Sequence, residues 1–263
     1  MAKRSAQARR RQQRVSQEYP DQADERRYGD NVRRLFDEPA WSPLGAQQGA
    51  NEERDTKYRK NIRPQNDAQA ALIEAIDRSP LVFAAGAAGT GKTYIAVAKG
   101  VEALESGRVR RIVLSRPAVE AGESLGFLPG DMEEKLSPYL RPLYDALCDR
   151  LSGKRLKSLM AESVIEIAPI AYMRGRTLNN AYVVIDEAQN CTYGQLKMLL
   201  TRLGWNSSMI VTGDPAQTDL LPGMSGLEDV MTRLSAIEQV STVRFTRSDV
   251  VRHPLVAEMI DAL

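Results

Sequence analysis

Gly86-Ala87-Ala88-Gly89-Thr90-Gly91-Lys92-Thr93 is the stretch from which the rest of the chain is read. It follows an apolar run, Leu81-Val82-Phe83-Ala84-Ala85. It precedes a segment in which Ile95 and Ala98, and then Val97, Val101 and Leu104, recur at three- and four-residue spacing, the period of a helix with one buried face. The order is strand, glycine-rich loop, helix. A glycine followed after four residues by Gly-Lys-Thr is the spacing of a phosphate-binding loop. Each residue type has a physical reason. Glycines let the backbone wrap close to phosphate oxygens and present successive N–H donors, so Gly86, Ala87, Ala88, Gly89, Thr90 and Gly91 form the expected cradle. The helix behind it turns its positive N-terminus toward the same anion. Lys92 is expected to reach the outer phosphates, and the Thr93 hydroxyl to hold Mg²⁺.

Working outward, Ala181-Tyr182-Val183-Val184-Ile185 reads as a buried strand that runs into Asp186-Glu187. Two adjacent acids at a strand end repel each other without a cation. Beside a phosphate-binding loop they are the expected complement, with Asp186 as a metal ligand and Glu187 as the base that polarises an attacking water. Ser208-Met209-Ile210-Val211-Thr212 is a further strand and ends in Gly213-Asp214-Pro215-Ala216-Gln217. An amide past a strand end can sense a terminal phosphate, which nominates Gln217, with Asp214 in support. Further strands are expected over 111–115, 164–168 and 240–245. Helices are expected from Asn66 or Asp67 to about Arg78, over 196–203, over 227–234 and from Pro254 to Leu263, with short helical pieces over 132–136, within the long connection from Ala118 to Pro142, and over 142–151 beyond it. Ser79-Pro80 separates the first helix from the loop strand. Gln69, on that helix, has an amide able to read an adenine edge; alone it reads as a surface glutamine. Arg174-Gly175-Arg176 suits phosphate, in a nucleotide or in a nucleic-acid backbone, or is a plain turn.

Composition bounds the rest. The 263 residues carry 43% hydrophobic residues and a net charge of +2, enough for a sizeable core and no whole-chain polyanion argument. Charge is unevenly spread: the first seventeen residues hold six Lys and Arg and no acid. Residues 1–61 read as a basic, polar, largely disordered arm and residues 62–263 as the folded domain. Such an arm suits RNA or single-stranded nucleic acid, and equally a solvated tail. Two cysteines, Cys148 and Cys191, and one histidine, His253, exclude a Cys/His zinc site and a disulfide framework. No run reaches the length of a membrane span and no apolar segment follows the basic start, so no membrane partner and a cytoplasmic location are expected.

The chain resembles the PhoH family of P-loop ATPases over roughly residues 62–263. The likeness is carried by the loop at Gly86, Arg116-Pro-Ala-Val-Glu-Ala-Gly-Glu, Leu-Gly-Phe-Leu-Pro-Gly-Asp from Leu125, Pro-Tyr-Leu-Arg-Pro-Leu-Tyr-Asp-Ala-Leu from Pro138, Met-Arg-Gly-Arg-Thr-Leu from Met173, Asp-Glu-Ala-Gln-Asn from Asp186, Leu-Thr-Arg-Leu-Gly from Leu200 and Val-Val-Arg-His-Pro-Leu from Val250. The resemblance implies an α/β fold: a RecA-like, mostly parallel sheet flanked by helices and related to superfamily-one helicases. It raises Gln69 to an adenine contact and makes Arg252 a candidate arginine finger. His253 reads as structural. The basic arm lies outside the likeness, and nothing supports carrying over a nuclease activity.

The expected reaction is Mg²⁺-dependent ATP hydrolysis. One RecA-like core leaves the site without the second domain that closes it in superfamily-one helicases. Identical subunits packed head to tail, with Arg252, Arg174 or Arg176 entering a neighbour's site, would close into a homo-oligomeric ring, a hexamer being one closure. Two functions follow: a motor coupled to RNA, or an ATP-controlled assembly switch without unwinding. A phosphate-transferring kinase is disfavoured because no acceptor pocket can be named.

Overall fold

A computed structural model describes residues 62–117 and 132–251, together with position 259. Chain contacts divide the protein between Gly45 and Ala46, and all described residues belong to the second unit. The basic arm, much of the Ala118–Pro142 connection, Arg252, His253 and nearly all of the expected last helix lie outside the described residues.

Helix α1, Asp67–Arg78, starts where the sequence places it, with Asn66 as the cap: its side chain accepts from the Gln69 N–H at 2.8 Å. Strand β1, Leu81–Gly86, leads through the loop to α2, Lys92–Glu105, and β2 spans Arg111–Arg116. Helix α3, Met132–Cys148, is a single helix where two short pieces were expected. Pro138 and Pro142 each remove one backbone hydrogen bond. The stripe of Leu140, Leu143, Ala146 and Leu147 is buried nonetheless, and the helix packs on α2 and β2, so tertiary burial outweighs local propensity. Then come α4, Gly153–Ala161; β3, Ile165–Pro169; β4, Ala181–Ile185; α5, Tyr193–Leu200; β5, Ser208–Gly213; α6, Leu227–Leu234; and β6, Val240–Phe245. Short 3₁₀ turns cover Ile170–Met173, Ala188–Asn190 and Arg247–Asp249. Helix α5 begins earlier than its apolar stripe suggests because Thr192 and Gln195 form a reciprocal capping box.

Among the described residues the strands form one six-stranded sheet in the order β3-β2-β4-β5-β1-β6. Every pairing is parallel, so the expected mostly parallel RecA-like sheet is found without an antiparallel strand. Parallel sheets are covered on both faces. Accordingly β4 is buried along its whole length, whereas β6 at one edge is exposed or partly buried at every position before Phe245. Alternate residues take opposite faces. Phe83, Val183, Ile185, Met209 and Val211 join Leu196 and Leu199 of α5 and Leu227 and Met231 of α6 in one core. Tyr182 points to the other face, against Gly100 of α2: a Cβ on Gly100 would lie 2.8 Å from the Tyr182 ring. The register aligns Ala85 with Gly213, Val211 with Ile185, and Ile185 with Ser115. The residues after four strands therefore gather along one end of the sheet, where α/β folds place their ligands.

Edge strand β3 carries Glu166, which the Arg176 guanidinium grips with two hydrogen bonds. That hydrogen bonding, against the opposing effect of burial, holds the Glu166 carboxyl below its ordinary range. Its stabilisation is present above the unfolded glutamate value of about 4.3 and is lost as pH falls through the lower folded value. Both side chains are about a third exposed, so we expect Arg176→Ala to cost at most about 1 kcal/mol near neutrality. In urea titrations that difference should shrink below about pH 4; a difference independent of pH would contradict the assignment. Gly100→Ala should destabilise by about 1–3 kcal/mol through overpacking against Tyr182, even though alanine favours helix, as read from the shift of the thermal midpoint.

Candidate nucleotide site

The loop after β1 takes backbone conformations that glycine supplies. Gly86 has φ +136°, and a Cβ there would sit 2.0 Å from the Phe245 carbonyl oxygen at the end of β6; Gly91 has φ +85°, and a Cβ there would press on the Gln69 amide. Gln69 is buried behind the loop. Its Nε2 donates to the Thr90 carbonyl at 3.0 Å and its Oε1 accepts from the Gln65 N–H at 2.9 Å. The Nε2 bond holds α1 to the loop and the Oε1 bond holds it to the segment just before the helix, and an adenine contact requires one of these bonds to be exchanged. From the other side, the Val251 N–H donates to the Gly89 carbonyl at 3.0 Å. This ties the chain beyond β6 to the loop, one residue before Arg252.

Lys92 is nearly buried. Its ammonium donates to the carbonyls of Gly86 at 2.6 Å and Ala87 at 2.7 Å and lies 5.9 Å from the centre of the Phe245 ring. Burial lowers its pKa from the ordinary lysine value, while the carboxylates of Asp214, Glu187 and Asp186 pull the other way. Its charge belongs to a site that is anionic on one flank and, at the loop, meets the carbonyls of Gly86 and Ala87.

That anionic flank centres on Asp186, which is 2% exposed. One of its oxygens, Oδ1, accepts from Thr93 of the loop helix at 2.7 Å and from Thr212 of β5 at 2.6 Å. A buried carboxylate needs such donors. Thr93 and Asp186, paired in the sequence reading as metal ligands, are in direct contact across 93 positions of sequence. Glu187 follows in the left-handed conformation with φ +53°, uncommon for a residue with a side chain and frequent at functional positions. The Gln189 amide donates to Glu187 through Nε2 and accepts from the Asp214 N–H at 3.0 Å through Oε1. Gly213 permits this closeness, since a Cβ there would lie 2.7 Å from the Gln189 oxygen. Arg116, at the end of β2, completes the group: Nη1 lies 3.6 Å from Asp186 and Nη2 3.4 Å from Glu187.

Several expected residues are placed elsewhere. Gln217 is exposed on the loop after β5 and contributes its backbone N–H to the Asp214 carbonyl at 3.0 Å; the amide at the acidic pair is Gln189. Arg176 is held by Glu166 on the far edge. That edge lies four strand spacings from β1, about 19 Å, so Arg176 does not reach its own loop. Arg174 is exposed on the same edge segment. The two cysteines are free, and burial raises both thiols, Cys191 to about 12, far from a reactive thiolate. Gln189, Thr212 and Arg116 were not singled out for roles by sequence. Gln189 had a usable signal, a glutamine in the same strand-end turn as the acids. The other two are found only through the register of β5 and β2 against β4.

The geometry fits a metal–nucleotide pair. Thr93 and Asp186 offer hard oxygens suited to Mg²⁺. Among the described residues no group of three or more His, Cys, Asp or Glu is placed to form a metal cage. No described helix is long and apolar enough to cross a membrane.

A family model described as PhoH-like protein matches residues 61–263. The PhoH-like protein of Bacillus subtilis (strain 168) is 56% identical over 204 residues, 77% of this chain and 64% of that protein. The PhoH-like protein of Mycobacterium tuberculosis (strain ATCC 25618 / H37Rv) is 55% identical over 204 residues, 77% of this chain and 58% of that protein. Protein PhoH of Escherichia coli (strain K12) is 46% identical over 222 residues, 83% of this chain and 63% of that protein. The chain thus spans less than two thirds of the length of these curated relatives. Among solved structures, a SWI2/SNF2 ATPase core of Sulfolobus solfataricus in complex with dsDNA is similar with TM-score 0.45 and 15% identity, over 78% of this chain and 52% of that one. A large terminase from a thermophilic bacteriophage gives TM-score 0.46 and 10% identity, over 76% of this chain and 50% of that one. The family match, joined to relatives of this identity and to a phosphate-binding loop facing an Asp-Glu strand end, shows that the chain belongs to the PhoH family and is a P-loop NTPase.

Proposed function

We propose that this domain, residues 62–263, hydrolyses ATP by in-line attack of water. The observation that carries the reading is the hub at Asp186, where hydroxyls from the loop helix and from β5 converge on one buried carboxylate beside Glu187. Loop amides from Gly86 to Thr93 and the Lys92 ammonium bind the triphosphate, with Lys92 leaving the Gly86 and Ala87 carbonyls for phosphate oxygens. Thr93 and Asp186 would hold Mg²⁺, which when bound would supply charge neutralisation on the phosphates. Glu187 accepts the proton of the attacking water, and Gln189 fixes its orientation while linking it to β5. Gln69 reads the adenine edge by exchanging its bond to Thr90. Gln217 reaches the terminal phosphate only when its loop moves inward.

The site is completed in trans. The phosphate-binding strand β1 lies one strand from the β6 edge, and Arg174 and Arg176 lie at the opposite β3 edge. Head-to-tail packing of identical subunits brings such edges together and closes into a ring, of which a hexamer is one form. Arg174 is better suited than Arg176, which already serves Glu166, and Arg252 is the second candidate for an arginine finger. The basic arm and Arg174 suit an RNA backbone, so hydrolysis is read as coupled to RNA binding or remodelling, in the cytoplasm. The competing function is an ATP-controlled assembly switch.

Turnover of the wild type and Glu187→Gln, measured with and without RNA and DNA on a size-resolved sample, separates these readings. Glu187→Gln should lose about 10²–10⁴-fold in kcat with nucleotide binding retained; normal turnover would refute the base assignment. Gln189→Ala should lower kcat more than it changes KM. Stimulation by RNA supports the coupled reading. Hydrolysis indifferent to RNA, with nucleotide-dependent assembly, supports the switch.

A further inference from the structure

Among the described residues, Arg116 is a charged group at the acidic pair to which the proposed mechanism gives no task. It ends β2, and the parallel register sets it directly beside Asp186: Ser115 pairs with Ile185, and the Asp186 N–H donates to the Ser115 carbonyl at 2.8 Å. Its guanidinium spans both acids, at 3.6 Å from Asp186 Oδ2 and 3.4 Å from Glu187 Oε1. Both separations exceed those of good N–H···O bonds, so the link is a charge balance rather than a fixed fork. The division of Asp186 is informative. Oδ1 accepts from the two threonine hydroxyls, and Oδ2 is left to Arg116. Asp186 is almost wholly buried and Arg116 is 20% exposed, so the pair acts in a medium that screens less than water.

We propose that Arg116 is a built-in counter-ion that exchanges with the divalent metal and makes metal loading depend on nucleotide. Without nucleotide, the guanidinium already neutralises Asp186 and Glu187. A free divalent cation arriving alone finds only one carboxylate and one hydroxyl in contact, Asp186 and Thr93, and must also displace a like charge. A triphosphate brings negative charge and further oxygen ligands, which reverse the balance; the guanidinium then yields Asp186 to the metal. A second contact in the site points the same way. The loop cation behaves in parallel, Lys92 being docked on the loop's own carbonyls where phosphate oxygens are expected. Arg116 and Lys92 together keep the site electrically satisfied until the metal–nucleotide pair arrives.

The inference rests on the metal–nucleotide reading of the site, and its test separates the two. Mn²⁺ binding to the full chain is measured by electron paramagnetic resonance, without nucleotide and with adenylyl imidodiphosphate, a non-hydrolysable ATP analogue. Arg116→Gln should bind Mn²⁺ at least about tenfold more tightly than the wild type when no nucleotide is present, because one opposing charge has been removed. Arg116→Lys, which keeps the charge, should stay near the wild type. Adding Asp186→Asn to Arg116→Gln should abolish the gain. With the analogue bound, wild type and Arg116→Gln should differ much less, and this binding also reports that the variant is folded. Equal Mn²⁺ affinity of wild type and Arg116→Gln without nucleotide overturns the role of Arg116. Absence of Mn²⁺ binding even with the analogue overturns the metal site itself, and the exchange with it. The wild type alone supplies a second check: Mn²⁺ without nucleotide should leave its Tm nearly unshifted, whereas a shift as large as that with Mn²⁺ and analogue together contradicts the proposal.

Discussion

A carboxylate buried at the end of a central strand has to be matched from every side, and Asp186 is that group. Two threonine hydroxyls and one guanidinium surround it. They come from three different segments: the helix after β1, the end of β5 and the end of β2. Removing water from a charge costs several kcal/mol unless partners replace it. The position of Asp186 therefore constrains those segments as firmly as the hydrophobic core does. The same requirement explains why the end of the sheet around Asp186 is polar.

The sheet makes the matching possible. Only in a parallel arrangement do the ends of β1, β2, β4 and β5 all face the same way, so that one row of residues beyond the register can converge. The core beneath is built of strands covered on both faces, with α5 and α6 against one side and α2 against the other. Glycine permits the closest approaches. Gly86 lets the loop lie against the end of β6, and Gly213 lets β5 meet Gln189. Backbone strain falls beside the buried acid: Glu187 sits in the left-handed region, held by an amide two residues later.

Much of this is legible in the sequence. The six strands and the first helices follow from apolar runs and punctuation, since continuous apolar segments bounded by turns mark buried parallel strands. The phosphate-binding loop and the Asp-Glu pair carry spacing that points to one arrangement. What stays hidden depends on which strands are neighbours. Thr212 and Arg116 look like ordinary strand-end residues until β5 and β2 are found on either side of β4. Reading along the chain favours Gln217, the amide past the next strand end, over Gln189; the turn at Glu187 instead folds the nearer amide back onto the acid. Local propensity alone divides helix α3 at its prolines, because it takes no account of the burial of Leu143 and Leu147. Gln69 is placed near the nucleotide by sequence, but its two contacts with the loop and with Gln65 are tertiary facts.

In the proposed mechanism the loop and Asp186 are two halves of one metal–nucleotide site. Calorimetric titration of a non-hydrolysable ATP analogue, in excess Mg²⁺ and again in a metal chelator, tests this most directly for the wild type and for Thr93→Val. The wild type should bind at least about tenfold more tightly with Mg²⁺, a coupling of about 1.4 kcal/mol or more, and Thr93→Val should lose that difference while keeping its affinity in chelator. Equal wild-type affinity with and without Mg²⁺ would contradict the claim.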